Sequence, residues 1–247
     1  MNKKSILLGI STIFVIWFLF SIIINKPIIP LPSVVIKQLF IEFSKGTIFL
    51  HLLASILRII SSLFISLTIG IPVGIITAKI KKLDSIFSPI LYLLYPIPKI
   101  AFLPIIMVLF GLGNTPKIIL ISSILFFPIT IAVRDRTKQL PKEYDYLAKV
   151  FLLTKKQILF EITLPGILPS ILSAIRISIG ISLSVLFFSE NFATVFGIGY
   201  YIMNSWVMVD YPQMYVGIIM LSFTGLGLYL SLDIIEKKIV PWHIHLN

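Results

Sequence analysis

KQILFEITLPGILPSIL, residues 156–172, changes character halfway along. Its first half carries Lys156 and Glu161 among apolar residues at helical spacing, and its second half is uncharged and opens a run to Phe188 in which Arg176 is the one charged residue. Two prolines, Pro165 and Pro169, stand at the join with Gly166 between them. Proline removes a backbone donor and disfavours helix in the residue before it, so the prolines read as a corner. On one side lies a helix at the membrane surface and on the other a helix that crosses. An ordinary interfacial loop with a solvated charged face has the same pattern.

The rest of the chain supports a lipid setting. Of 247 residues, 57% are hydrophobic and 13% charged, and mean hydropathy is +1.04. A soluble domain of this size could not hide so much apolar surface. The formal net charge of +11 does not point to nucleic acid, because the basic residues lie between apolar runs and not in one patch. Cysteine is absent, which excludes disulfide and thiol chemistry.

Crossing the hydrocarbon takes about 20 apolar helical residues. On that rule the sequence predicts an all-α polytopic fold with about six spans in one transmembrane domain, 1–247. Residues 5–24 form span one, longer than a signal core and without a cleavage site. Residues 33–45 read as an interfacial helix, with Val35, Ile36, Leu39, Phe40 and Phe43 on one side. Spans two, four, five and six are expected at 52–78, 118–133, 167–188 and 215–232. Residues 86–110 are apolar but interrupted by Pro89, Pro96, Pro98 and Pro104, with Lys99 inside. Irregular backbone at membrane depth survives only within protein or beside a watery cavity, so this third span reads as broken and path-lining. A kinked helix packed on its neighbours is the alternative. Lys79, Lys81, Lys82 and the basic residues from Arg134 to Lys156 outnumber Lys26, Lys37, Lys45 and Lys117 on the opposite side. The bias predicts cytoplasmic N- and C-termini. Arg58 and Arg176, near span ends, are expected to snorkel.

The segment 141–163 contains two helix patterns. Tyr144, Leu147, Ala148, Phe151 and Leu152 share one face, with Glu143 on the other. Thr154 and Gln157 then form a capping-box pattern that starts a second helix.

Tyr146-Leu147-Ala148, Leu152 and Ile162-Thr163-Leu164-Pro165 keep the spacing of a known motif. It resembles the "EAA…G…I-x-LP" loop of bacterial ABC-importer permeases. HLLASILRI (51–59), GIPVGI (70–75), YPIPKIAFLPIIMVLFGLG (95–113), LPGILPSILSAIRISIG (164–180) and GIGYYI (197–202) extend the resemblance over nearly the whole chain, to the nitrate/sulfonate/taurine-type branch. The resemblance implies an inner-membrane permease subunit that works as a homodimer. Its partners would be separate ATPase subunits and an extracytoplasmic solute-binding protein. Residues 143–152 would be the ATPase-coupling helix, and the Pro165–Pro169 corner would pass its motion into span five. ATP and magnesium would reside on the partner, with no cofactor on this chain, which lacks a P-loop run. The branch handles oxyanions, sulfonates and small heterocycles. Two departures stand out: Tyr146 replaces the family's glutamate and Leu152 its turn glycine. A positive φ at that turn would cost leucine about 1–2 kcal/mol.

Other groupings are weaker. Gly70 with Gly74, and Ser170, Ala174, Ser178 and Ser182, repeat every four residues and read as helix-packing stripes or pore lining. Pro96, Pro98, Lys99 and Glu190 are candidates for the solute path, Glu190 as a gate or solute contact. His51 is expected at the interface and Asp210 in a solvated loop. His243 and His245 make a weak metal signal. An ATPase-independent secondary transporter or channel is the rival reading.

Overall fold

The computed structural model describes residues 3–241, so His243 and His245 lie outside the described residues. Among the described residues every regular element is helical: α1 (Lys3–Ile24), α2 (Pro32–Lys45), α3 (Thr47–Lys79), α4 (Lys81–Leu94), α5 (Leu103–Phe110), α6 (Asn114–Lys138), α7 (Glu143–Val150), α8 (Lys155–Gln157), α9 (Leu164–Glu190), α10 (Ile198–Val207) and α11 (Tyr211–Ile239). A 3₁₀ turn covers Lys99–Phe102 and a π turn Ile158–Thr163. Four helical runs are long and apolar enough to cross a membrane: α3, α6, Lys155–Glu190 and α11. The bent pair Lys81–Leu94 and Lys99–Phe110 makes a fifth if counted as one span, and Leu8–Ile24 is a shorter apolar helix. The chain divides into two compact units, Met1–Ile56 with Glu190–Thr224, and Leu57–Ser189 with Gly225–Asn247.

In the first unit, α1 is tied down by its aromatic and hydroxyl side chains. Trp17 stacks on Tyr215 at 5.5 Å and donates from Nε1 to the Pro30 carbonyl, and Ser21 donates to the Ile29 carbonyl. Pro32 opens α2, where its missing N–H costs nothing, and Gly46 closes it at φ 76°. The helix falls where the periodicity predicts it, but the expected faces are corrected. Val35 and Glu42 are buried, while Ile36, Phe40 and Ile41 face outward. Gln38 and Lys45 donate to the Glu42 carboxylate, which makes its burial tolerable. Asp210 is no loose loop residue, because it caps α11 by accepting from the Gln213 amide.

In the second unit, α3 and α6 pack through a polar and small-residue stripe. Ser62 donates to the Ile118 carbonyl and Ser66 to the Ser122 carbonyl. Below them a Cβ on Gly70 would lie 3.0 Å from Thr130 Oγ1, and one on Gly74 would lie 2.8 Å from the Thr130 carbonyl. Small residues let backbones approach where no hydrophobic drive separates lipid from protein. On α9, Ala174, Ser178 and Ser182 are buried, and Ser170 and Ala174 border a groove beside Pro128 and Ala132.

Two cations differ from expectation. Arg58 does not snorkel: it is buried and donates through Nε and Nη2 to Asn114 Oδ1 at 2.9 and 2.7 Å. Lys117, expected in an outer loop, is 0% exposed and donates to the Gly113 carbonyl at 2.9 Å. Arg176 instead pairs with Asp233 and Glu236, each at 2.7 Å.

Candidate coupling segment and path residues

The apolar segment 86–110 bends by 83° between α4 and the run that begins at Lys99. Pro96 and Pro98 lie in the break. Pro98 occupies the position whose amide would have bonded the Leu94 carbonyl in a continuing helix. Lys99 fills that role with its side chain. Its Nζ donates to the carbonyls of Leu94 (2.8 Å) and Tyr95 (3.1 Å) and lies 4.0 Å above the Phe127 ring. A cation at the C-terminus of α4 also complements the helix dipole.

The foot of α4 is fixed by charge. Asp84 accepts from Arg134 Nη2 at 2.6 Å, from Ser88 at 2.7 Å and from Lys138, and Arg134 also pairs with Asp135. The sequence reading missed this knot. Its members are about 50 residues apart in sequence, and only charge complementarity at two helix ends hinted at it.

From α6 the chain turns through Leu140 and Pro141 into α7. Tyr144, Tyr146, Leu147, Val150 and Phe151 are exposed there, and Ala148 alone of the apolar face is buried. The helix ends in a Schellman motif: the Leu153 amide donates to the Ala148 carbonyl and the Leu152 amide to Lys149. Leu152 takes the left-handed position at φ 52° and is 86% exposed. The geometry is thus that of a glycine turn with leucine in it. Leu152→Gly is expected to relieve about 1 kcal/mol of strain. Hydrogen exchange at the Leu153 amide should slow about fivefold, and faster exchange would show that leucine is held there by its contacts.

Thr154 then caps the next run, accepting from the Gln157 amide while its own amide donates to Gln157 Oε1 at 2.9 Å. The expected corner at Pro165–Pro169 is corrected here. Helical backbone runs unbroken from Lys155 to Glu190, with both prolines inside it. The π turn at Ile158–Thr163 ends two residues before Pro165 and contains the carbonyl four residues back from it, and its wider ring relieves the clash that proline makes there. The chain turns earlier, at Leu152, where α7 closes in the left-handed conformation. Gly166 keeps a tight place, since a Cβ there would come within 2.7 Å of Leu140 Cδ2.

Glu190 is 0% exposed. Its carboxylate accepts from Ser55 Oγ (2.8 and 3.0 Å) and from the Gly199 amide (2.7 Å), while Ser55 Oγ accepts from the Ile198 amide (2.8 Å). His51, also buried, contacts Gly197 through Nδ1 at 3.1 Å and packs among Phe196, Tyr200 and Tyr201. These groups gather at the start of α10 and hold it. Sequence reasoning misses Ser55 as the partner of Glu190 and His51 as the partner of Gly197, since nothing local in sequence joins them. Among the described residues no group of His, Asp and Glu has a metal-binding arrangement.

Apolar helices of spanning length, a broken span capped by Lys99 at the end of α4, and an exposed helix between α6 and α9 fit a membrane transport subunit. The family described as the binding-protein-dependent transport system inner membrane component matches residues 70–243, and the chain belongs to it. It is therefore the permease subunit of an ABC importer, resident in the bacterial inner membrane. The taurine transport system permease protein TauC of Escherichia coli (strain K12) is 29% identical, over 98% of this chain and 91% of TauC. The formylaminopyrimidine transport permease protein ThiX of Halalkalibacterium halodurans is 26% identical, over 92% of this chain and 91% of ThiX. In fold the chain resembles the MetNI methionine ABC transporter in an inward-facing conformation. The TM-score is 0.69 at 18% identity, covering 80% of this chain and 98% of the matched one.

Proposed function

We infer that two copies of this chain line a central path for a small anion, sulfonate or heterocycle handed over by an extracytoplasmic binding protein. The substrate class follows the relatives named for taurine and formylaminopyrimidine transport. Each copy has about six spans, α1 and the bent pair included, with both termini cytoplasmic as the lysine bias requires. ATP and magnesium bind separate ATPase subunits, and the chain itself catalyses no reaction. The ATPase docks on α7, and its closure shifts the rigid run that begins at Thr154, in which Pro165, Gly166 and Pro169 sit. The path candidates are Pro96, Pro98 and Lys99 at the break, with Glu190 holding α10 in position and not touching solute.

The observation that carries this reading is the bare apolar face of α7. An exposed cluster of Tyr146, Leu147, Val150 and Phe151 on a charged, non-spanning segment marks a protein partner. The test is ATPase activity in nanodiscs after co-expression with candidate ATPase subunits, comparing wild type with Phe151→Asp. The wild type is expected to copurify with an ATPase and hydrolyse ATP. The variant, whose side chain touches no core, should fold normally and lose the partner. A chain that binds no ATPase and alone carries solute down a gradient overturns the proposal.

A further inference from the structure

A large cavity in the second unit is not on α7's outer face but behind it. A space of about 860 Å³ opens between the ends of α3 and α6, the start of α4 and the segment from Leu140 to Thr163. Five lysines line it: Lys79, Lys81, Lys138, Lys142 and Lys155. Thr137, Thr163 and Tyr144 add hydroxyls, and among the described residues no carboxylate lines it. Lys79 donates to Thr163 Oγ1 at 2.9 Å and Lys138 pairs outward with Asp84, but Lys81, Lys142 and Lys155 have no ion-pair partner among the described residues.

The positive-inside bias explains why lysines are common at these helix ends. It does not explain why five of them, from four segments of chain, border one cavity. Like charges so gathered repel one another, and a multivalent anion offsets that repulsion. Lysine ammonium groups suit a phosphate, which each contacts as a point charge with several donors. The remaining walls are apolar, with Ile75, Leu140, Ile158 and Ile162 among them. A volume of this size exceeds what a bare phosphate fills and suits a larger ligand.

We propose that this cavity binds a phosphate-bearing anion, and that the apolar walls make the headgroup of an anionic phospholipid its source. Basic pockets between helix ends on the cytoplasmic side recognise such headgroups. The lipid source rests on the proposed orientation, which sets these helix ends at the inner leaflet. A bound headgroup bridges the ends of α3 and α6 to the segment carrying α7 and α8. Occupancy therefore stiffens the coupling segment, and lipid composition tunes coupling.

The test needs no ATPase, so its result is independent of the ATPase assay. The detergent-purified full chain is titrated with short-chain phosphatidylglycerol, short-chain phosphatidylcholine and pyrophosphate, with binding read by native mass spectrometry. Phosphatidylglycerol is expected to bind at least tenfold tighter than phosphatidylcholine. The triple variant Lys81→Gln/Lys142→Gln/Lys155→Gln should weaken it on the order of a hundredfold. A control, Lys26→Gln/Lys237→Gln/Lys238→Gln, removes the same charge elsewhere and should leave affinity within threefold. Pyrophosphate binding as tightly as phosphatidylglycerol, with the same dependence on the pocket lysines, would support the phosphate site and assign it to a soluble ligand. Equal affinity for the two lipids, or equal loss in both triple variants, would overturn it.

Discussion

Glu190→Ala is expected to lower the stability of the detergent-purified chain by about 3 kcal/mol, which is a fall of roughly 6–12 °C in melting temperature. Helix α10 begins at Ile198 with no cap from its own N-terminal residue, Gly197. Its first amides go instead to Ser55 Oγ and to Glu190, which is fully enclosed. Alanine removes the acceptor of two buried donors, the Gly199 amide and the Ser55 hydroxyl, each worth about 1–3 kcal/mol when orphaned. Charge at this place is favourable for a further reason, since the N-terminus of a helix attracts an anion. Glu190→Gln keeps one acceptor oxygen and the side-chain shape, so its loss should be about half as large. A melting temperature within a degree of wild type for the alanine variant would refute the clasp and return Glu190 to the candidates for solute contact.

The sequence exposed the long apolar helices and the break more readily than the contacts that secure them. Composition marks lipid-crossing runs because about 20 apolar residues in succession have few other uses. Pro96 and Pro98 mark the break because proline has a fixed chemical consequence wherever it stands. The helix start at Thr154 was legible for a similar reason, since Thr154 and Gln157 carry the capping pattern that begins a helix. Burial was harder to read. In water an apolar face points inward, but in lipid it is equally at home outside, so periodicity in α2 could not tell that Glu42 is the buried side chain and Phe40 the exposed one. Pro165 misled because a π turn absorbs the defect that proline would otherwise make. The Ser55–Glu190 and Asp84–Arg134 contacts join residues 135 and 50 positions apart, and a single sequence carries no local trace of such pairing.

Lys99→Met should destabilise the chain by about 2–3 kcal/mol, and the reason separates two roles that the sequence left together. A lysine in a broken span reads naturally as a contact for an anionic solute. The geometry gives it prior work. Beyond Leu94 the helix has ended, Pro98 offers no N–H, and the Leu94 carbonyl keeps only a long bond from the Ile97 amide at 3.3 Å. Lys99 supplies the missing donor to Leu94 and Tyr95, and its charge gains from the Phe127 face, a contact worth about 0.5–2 kcal/mol. An apolar side chain of similar length leaves those carbonyls without this donor, and an unsatisfied backbone group is costly wherever protein or lipid keeps water away. Lys99→Arg retains charge, donors and reach and should keep most of the stability. Melting temperature and uptake, measured on the same variants, divide the outcomes. If Lys99 caps the break, methionine lowers both and arginine restores both. If instead methionine melts like wild type and only uptake of an anion falls, Lys99 belongs to the solute and the break must be held by its prolines and packing alone.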